Sequence, residues 1–400
     1  MLTRRRALHI IGGLSVTSAL LPMRKALIRS AHATGLRPEA PRLVVTILRG
    51  GLDGLSAVPP YADPDYAVLR RQLATQTNEA EPGVVKLDDH FGLHPEMAPL
   101  KAWYDAGDLL IVHAIGLPAR RGSHFAAQHL LESGTTSAKV RDGWLNRALD
   151  GLPNGASLGL AVGRAVPLIL QGQTAIRAFV PPRLPKVEED FLQRLDALYA
   201  IDPLFHQTFE QARPFVNEER GLRWRWDKTA RQPTWRVFAE ETGKLLAQPD
   251  GPRVAVLESH GWDTHEQQPA RLQKLLAQLV DGLEGFKETL EPVWQQTAIL
   301  VVTEFGRAAW ENRFAGTDHG AGGAAFALGG AIAGGHVAGP WPGLTRSELL
   351  EGRDLKPTTD LRALFKAVLR DHLGLAESFI ENHVFPNSRT VAPLAGLIRT

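Results

Sequence analysis

Five short apolar runs divide the chain, and glycine or polar residues follow each one. Leu43–Leu48 (LVVTIL) runs into Arg49-Gly50-Gly51, and Leu109–Ile115 (LLIVHAI) runs into Gly116. Val166–Gln171 is weaker, and Arg253–Glu258 (RVAVLE) and Ala298–Thr303 (AILVVT) complete the set. Runs this short, rich in β-branched residues and closed by turn residues, predict buried strands. Between the last two, Leu272, Leu275, Leu276, Leu279, Val280, Leu283 and Phe286 recur with a 3.6-residue period. That spacing predicts a helix over 269–290. Helical patterns also cover Pro95–Ala106 and AAQHLLESG, which begins at Ala126. Continuously apolar strands alternating with helices predict an α/β fold whose sheet is covered on both faces. Residues 180–250 lack strand patterns and read as a helical insertion, where Trp224, Trp226 and Trp235 either pack a core or line a substrate wall.

The first 33 residues follow a different logic. Arg4-Arg5-Arg6 leads into an apolar run from Ala7 to Leu21, and Ala31-His32-Ala33 offers a small-x-small cleavage site. A basic start, a short apolar centre and a small-residue exit predict an export signal, with the paired arginines pointing to the twin-arginine route. The run is too short for a membrane span, so the expected product is periplasmic or secreted, with no stable span after cleavage. The twin-arginine translocase is then a transient partner.

This division changes the meaning of the charge. The chain has 45 Lys+Arg against 43 Asp+Glu, a formal +2. Residues 1–33 contain six of the basic residues and none of the acidic ones, so the body carries 39 against 43, or −4. That balance lacks the electrostatic footprint of a nucleic-acid binder. Cysteine is absent, which removes disulfides, thiolate metal ligands and a thiol nucleophile. Any metal must rest on imidazole and oxygen donors.

Polar chemistry collects after the predicted strands, where open α/β sheets place their ligand sites. Asp53 stands between glycines after the first strand and reads either as a metal ligand or as a plain turn residue. Arg120-Arg121-Gly122-Ser123-His124 precedes a helix, so Ser123 reads as an N-cap or as a nucleophile beside exposed helix amides. His260-Gly261-Trp262-Asp263-Thr264-His265 packs potential ligands into six residues. Glu304 emerges from the last strand, and Asp318-His319 sits in the glycine-rich loop GTDHGAGG.

The ordered motifs RGGLDGL, FGLHPEM, GSHFAAQHLLESG, GWDTH, TEFGR, ENRFAGTDHGAGG and TTDLRALF, from about Leu43 to Leu375, closely resemble the twin-arginine-exported bacterial family known as domain of unknown function 1501. That family is grouped with the alkaline phosphatase and sulfatase superfamily. The resemblance implies a mostly parallel alkaline-phosphatase-like sheet with helices on both faces, as one domain over 34–400 with the 180–250 insertion. It implies divalent metal (Zn, Mn, Mg or Ca) beside a nucleophile, acting on an anionic phosphate or sulfate ester.

Carried onto this chain, the resemblance gives Ser123 the nucleophile's place, with Arg121 and His124 as catalytic neighbours. Asp53, Asp263, His265, Glu304, Asp318 and His319 take the places of metal-site residues. Phe305 follows Glu304 where the superfamily has a histidine ligand, and Asp263 and His265 stand closer together than usual. A rearranged site, single-metal or degenerate, follows from these departures. The competing expectation is a non-catalytic exported binding or assembly protein on the same scaffold.

Overall fold

The computed structural model describes residues 40–75, 83–117, 123–137, 139–155, 158–180 and 234–399. Residues 1–33, expected as an export signal, lie outside them. Thirteen strands occur among the described residues: β1 (Arg42–Arg49), β2 (Val85–Lys86), β3 (Gly92–Leu93), β4 (Leu109–Gly116), β5 (Gly159–Val162), β6 (Arg177–Phe179), β7 (Val254–His260), β8 (Thr297–Thr303), β9 (Arg307–Glu311), β10 (Thr317–His319), β11 (Gly323–Leu328), β12 (His336–Ala338) and β13 (Thr359–Asp360). Nine build the central sheet, in the order β12-β4-β11-β8-β1-β7-β5-β6, with β13 also pairing β4. Every pairing in it is parallel except those of β11, which runs antiparallel to both β4 and β8. The result is the expected α/β architecture with a mostly parallel sheet.

Alternation along each central strand explains why the runs are continuously apolar. On β1, Leu43, Val45 and Ile47 enter one core cluster and Val44 and Leu48 the other. β8 divides the same way, with Leu300 and Val302 on one side and Ile299 and Val301 on the other. One cluster is completed by helical residues such as Trp144 and Phe365, the other by Leu276, Leu283 and Phe286. Burying each such side chain contributes roughly 1.5–3 kcal/mol, so both faces must be roofed.

The long helix spans Gln268–Leu290, one residue from its expected start. One expectation needs correction. Val166–Gln171 is not a strand: Pro167 removes a ladder donor, and Leu168–Leu170 form a 3-10 turn. The strand in this region is β5, which pairs β7 and β6. Of the 180–250 insertion, the described part contains the helix Trp235–Ala247, where Trp235 packs edge-on against Phe286 and so joins the core. Trp224 and Trp226 lie outside the described residues.

One buried group makes the fold sensitive to acid. His113 on β4 is 1% exposed, its Nε2 3.0 Å from the Val58 carbonyl, while its Nδ1 accepts from the Ala114 amide at 2.9 Å. Burial pushes its pKa down to about 4. Between about pH 6.5 and that value the unfolded chain takes up a proton that the folded one refuses. Stability therefore falls as pH falls through this window, by about 3 kcal/mol in all. Half-buried His372 is displaced in the same direction. Urea denaturation at pH 7 and pH 4.5 should show the loss, with a flatter profile in His113→Asn; equal profiles in the two proteins would contradict it.

Candidate metal centre

The site forms at the carboxyl ends of β1, β7 and β8, where the parallel strands all deliver their following loops. Gly50 sits at the middle of it. Its φ is +124°, and a Cβ there would stand 2.4 Å from the Asp263 amide nitrogen, so only glycine lets the first and third loops meet. Gly316 does the same for the last loop, where a Cβ would come 2.2 Å from the His265 carbonyl oxygen.

These close approaches gather side chains scattered over nearly two hundred positions. His124, Asp263 and His319 each bring one ligand atom within 4.8 Å of the others'. His265 Nε2 lies 3.0 Å from Asp263 Oδ1 and 3.0 Å from His319 Nε2. His319 Nε2 is 3.2 Å from Asp263 Oδ1, and His124 Nε2 is 3.4 Å from Asp263 Oδ2. All three imidazoles therefore aim Nε2 at one carboxylate.

The outer nitrogens decide which form these rings take. His124 Nδ1 faces Glu304 Oε1 at 3.1 Å, and His265 Nδ1 faces Asp318 Oδ1 at 3.3 Å. A carboxylate only accepts, so a proton on each Nδ1 satisfies these outer contacts, and in that tautomer Nε2 offers its lone pair inward to an ion. Converging lone pairs beside a carboxylate repel one another unless a cation lies between them. Outer carboxylates that orient ligating imidazoles in this way are a regular companion of metal sites. The donor set fits a divalent ion, and its imidazole content suits zinc or manganese better than magnesium or calcium.

Two expected ligands, Glu304 and Asp318, stand on the outer side of the imidazoles, each against an Nδ1. Glu304, its side chain fully buried, accepts from the Gly50 amide at 2.8 Å and Gln128 Nε2 at 3.1 Å while holding His124. Asp318 stands outside His265. Conversely, His124, expected as a catalytic neighbour, joins the ligand group. Phe305 lies under it, with ring centroids 4.9 Å from His124 and 4.6 Å from His319.

Asp53 does not reach the cluster. It is 1% exposed and locked against Arg70, whose Nη2 lies 3.0 Å from Oδ1 and whose Nη1 bonds Oδ2. Ser56 Oγ donates to Oδ2 at 2.7 Å, and Gln268 Nε2 does so too. Burial alone would raise the carboxyl's pKa; the Arg70 charge and these bonds outweigh it and hold Asp53 below the usual carboxylate range. Asp263 shows the same balance, with burial opposed and overcome by Arg307 and the neighbouring histidines. Arg307 Nη1 is 2.6 Å from Asp263 Oδ1, and this fully buried arginine was not singled out by sequence. Its place in TEFGR, four residues after the strand ends at Thr303, was the available signal.

Ser123 is exposed, at the N-cap of the helix His124–Ser133 with extended backbone (φ −107°, ψ 127°). Its hydroxyl makes no capping bond, which leaves it uncommitted to the helix. Arg120 and Arg121 lie outside the described residues. A cleft of about 360 Å³ opens beside the cluster, sharing Glu304 and Phe305 with it and further lined by Leu117, Lys356, Thr358 and Asp360.

The model of the family described as protein of unknown function DUF1501 matches residues 40–385, and the chain belongs to that family. No curated protein matches it. Among solved structures, the chain is similar to a protein crystallised with a k-i-k-neocarrahexaose (8% identity, 88% of this chain and 77% of that one, TM-score 0.42). It is similar to the phosphonate monoester hydrolase of Agrobacterium radiobacter (10% identity, 84% and 74% covered, TM-score 0.35). It is also similar to a 2-O GAG sulfatase (11% identity, 89% and 73% covered, TM-score 0.35).

Proposed function

We propose that the protein is an exported, metal-dependent hydrolase or transferase acting on phosphate or sulfate esters, with Ser123 as its nucleophile, working in the periplasm or outside the cell. The observation that carries this reading is the convergence of three imidazole Nε2 atoms on Asp263, two of them oriented by outer carboxylates, directly beside the start of the Ser123 helix. Among the described residues no helix is long and apolar enough to cross a membrane. Delivery by the twin-arginine translocase rests on the pattern of residues 1–33.

The chemistry divides among the side chains. A bound divalent ion supplies Lewis-acid charge to the ester and to an oxygen nucleophile. His124, His265, His319 and Asp263 would hold it. Glu304 and Asp318 keep the Nδ1 protons in place, so that the inward nitrogens remain donors of electron pairs. The amides at the start of the Ser123 helix favour an anion, which draws the ester's negative group to the hydroxyl. Ser123 Oγ then forms a bond to phosphorus or sulfur as the bond to the departing alcohol oxygen breaks. The hydroxyl proton passes to that alcohol, and water, or an acceptor alcohol in transfer, releases the serine. The cleft beside Glu304 is the space for the organic part of the ester.

The deciding experiment combines metal analysis with a screen of 4-nitrophenyl phosphate and 4-nitrophenyl sulfate. The wild type should contain metal and cleave at least one of them. Ser123→Ala should keep its metal and lose the activity; undiminished hydrolysis in that variant would remove Ser123 as nucleophile. A metal-replete protein inert toward both esters would favour the binding-protein alternative.

A further inference from the structure

We infer that the centre takes a single divalent ion, and that the buried guanidinium of Arg307 stands permanently where a second ion would otherwise share Asp263. This rests on the metal reading above and asks which acidic groups remain available to cations.

Few do. Asp53 has no open oxygen: Arg70 reaches both, and Ser56 and Gln268 reach Oδ2. An entering ion would have to displace Arg70, which is fully buried. Its remaining donors are spent on the carbonyls of Ala308 at 2.8 Å and Ala309 at 2.6 Å, so it has no solvent to retreat into. Glu304 is occupied by Gly50, Gln128 and His124 on Oε1 and by Thr303 Oγ1 at 3.2 Å on Oε2. Of these acidic groups only Asp263 faces the imidazole Nε2 atoms, and one of its oxygens already meets a positive charge at 2.6 Å.

Arg307 is as firmly placed as Arg70. Nε donates to Thr317 Oγ1 at 3.1 Å, Nη1 to the Gly50 carbonyl at 3.3 Å and Nη2 to the Thr317 carbonyl. Thr317 Oγ1 in turn donates to Gln268 Oε1 at 2.7 Å, and Gln268 Nε2 reaches back to Asp53. A continuous chain of contacts, Arg70–Asp53–Gln268–Thr317–Arg307–Asp263, buried as far as Arg307 and ending on the half-exposed Asp263, thus ties both carboxylates to guanidinium groups. A second dication bridging Asp263 would sit against the fixed guanidinium charge that already lies 2.6 Å from Oδ1, and the two would repel. One ion, by contrast, is met by three imidazole Nε2 atoms and the Asp263 carboxylate. Arg307 is a positioning residue here: it acts through Asp263, holding Oδ1 so that Oδ2 turns toward His124.

Metal-stripped full-length protein titrated with Co²⁺, followed by visible absorption and by elemental analysis, tests this directly. Saturation should come at one equivalent per chain. Asp53→Asn should still bind one equivalent. Arg307→Gln should change the Co²⁺ spectrum, because Asp263 is released, and Arg307→Lys should restore it. Two equivalents in the wild type would overturn the single-ion inference while leaving the metal reading intact. A spectrum unchanged in Arg307→Gln would overturn the role of Arg307. No binding at all would overturn the metal reading itself, an outcome distinct from the other two. Because stoichiometry is read on the wild type, the inference stays falsifiable even if a variant fails to fold.

Discussion

His319→Ala is expected to lose its tightly bound divalent ion and, with it, about 10³-fold in ester hydrolysis, since metal charge at the reacting oxygen is worth several kcal/mol. The residue lies on the short strand β10 and is partly exposed, so the variant should fold with a near-native melting temperature. Its Nε2 is 3.0 Å from His265 Nε2 and 3.2 Å from Asp263 Oδ1, and truncation removes one of the inward lone pairs outright. Glu304→Gln makes a graded companion. The amide keeps the shape but can no longer act as a pure acceptor toward His124 Nδ1 at 3.1 Å. Loss of such an outer partner typically lowers metal affinity about 10- to 100-fold. Isothermal titration with Zn²⁺ on stripped protein reads both effects. Equal affinity in wild type and His319→Ala would dismantle the proposed centre.

The second large effect concerns stability. Asp53→Ala leaves the Arg70 guanidinium buried, charged and without its carboxylate, and breaking such a pair from one side costs about 3–5 kcal/mol. Replacing both partners together, as Asp53→Leu with Arg70→Met, should cost much less, because no uncompensated charge remains. Urea unfolding of the two singles and the double variant closes the cycle. A loss below about 1 kcal/mol in Asp53→Ala would mean that the pair is not sealed from water in solution. The pH sign follows from the depressed Asp53 carboxyl. Its contribution is complete above the ordinary carboxylate range near pH 4 and disappears only as pH drops through the lower folded value. Acid lability between pH 6.5 and 4 therefore belongs to desolvated histidines, His113 foremost, and not to this pair.

Much of the scaffold was legible in the chain. The runs at 43–48, 109–115, 253–258 and 298–303 each became a strand within two residues of the expected bounds. A strand covered on both faces has to be apolar at every position, and that leaves a mark no neighbouring segment imitates. β11 was missed because its sequence, GAAFAL, follows directly on a glycine-rich loop and is dominated by small residues. It is antiparallel and fits between β4 and β8 through close packing that only its neighbours define. Val166–Gln171 misled for the opposite reason: its apolar side chains face the core from a 3-10 turn, so burial was read correctly and geometry was not.

For the site, the sequence alone determined which residue types gather after which strands, because parallel strands send their carboxyl ends to one edge whatever the details of packing. It thereby placed His124, Asp263, His265, Glu304, Asp318 and His319 in one neighbourhood. It could not assign their roles. Whether a carboxylate meets an imidazole, a guanidinium or an ion depends on contacts across some 17 to 250 residues of separation, as Arg70 does for Asp53 and Gly50 for Glu304. Asp53 and Asp263 look equally available as letters in the chain. Only the tertiary structure buries one against Arg70 and leaves the other facing three histidines, because the desolvation and charge that divide them exist only once the loops have packed.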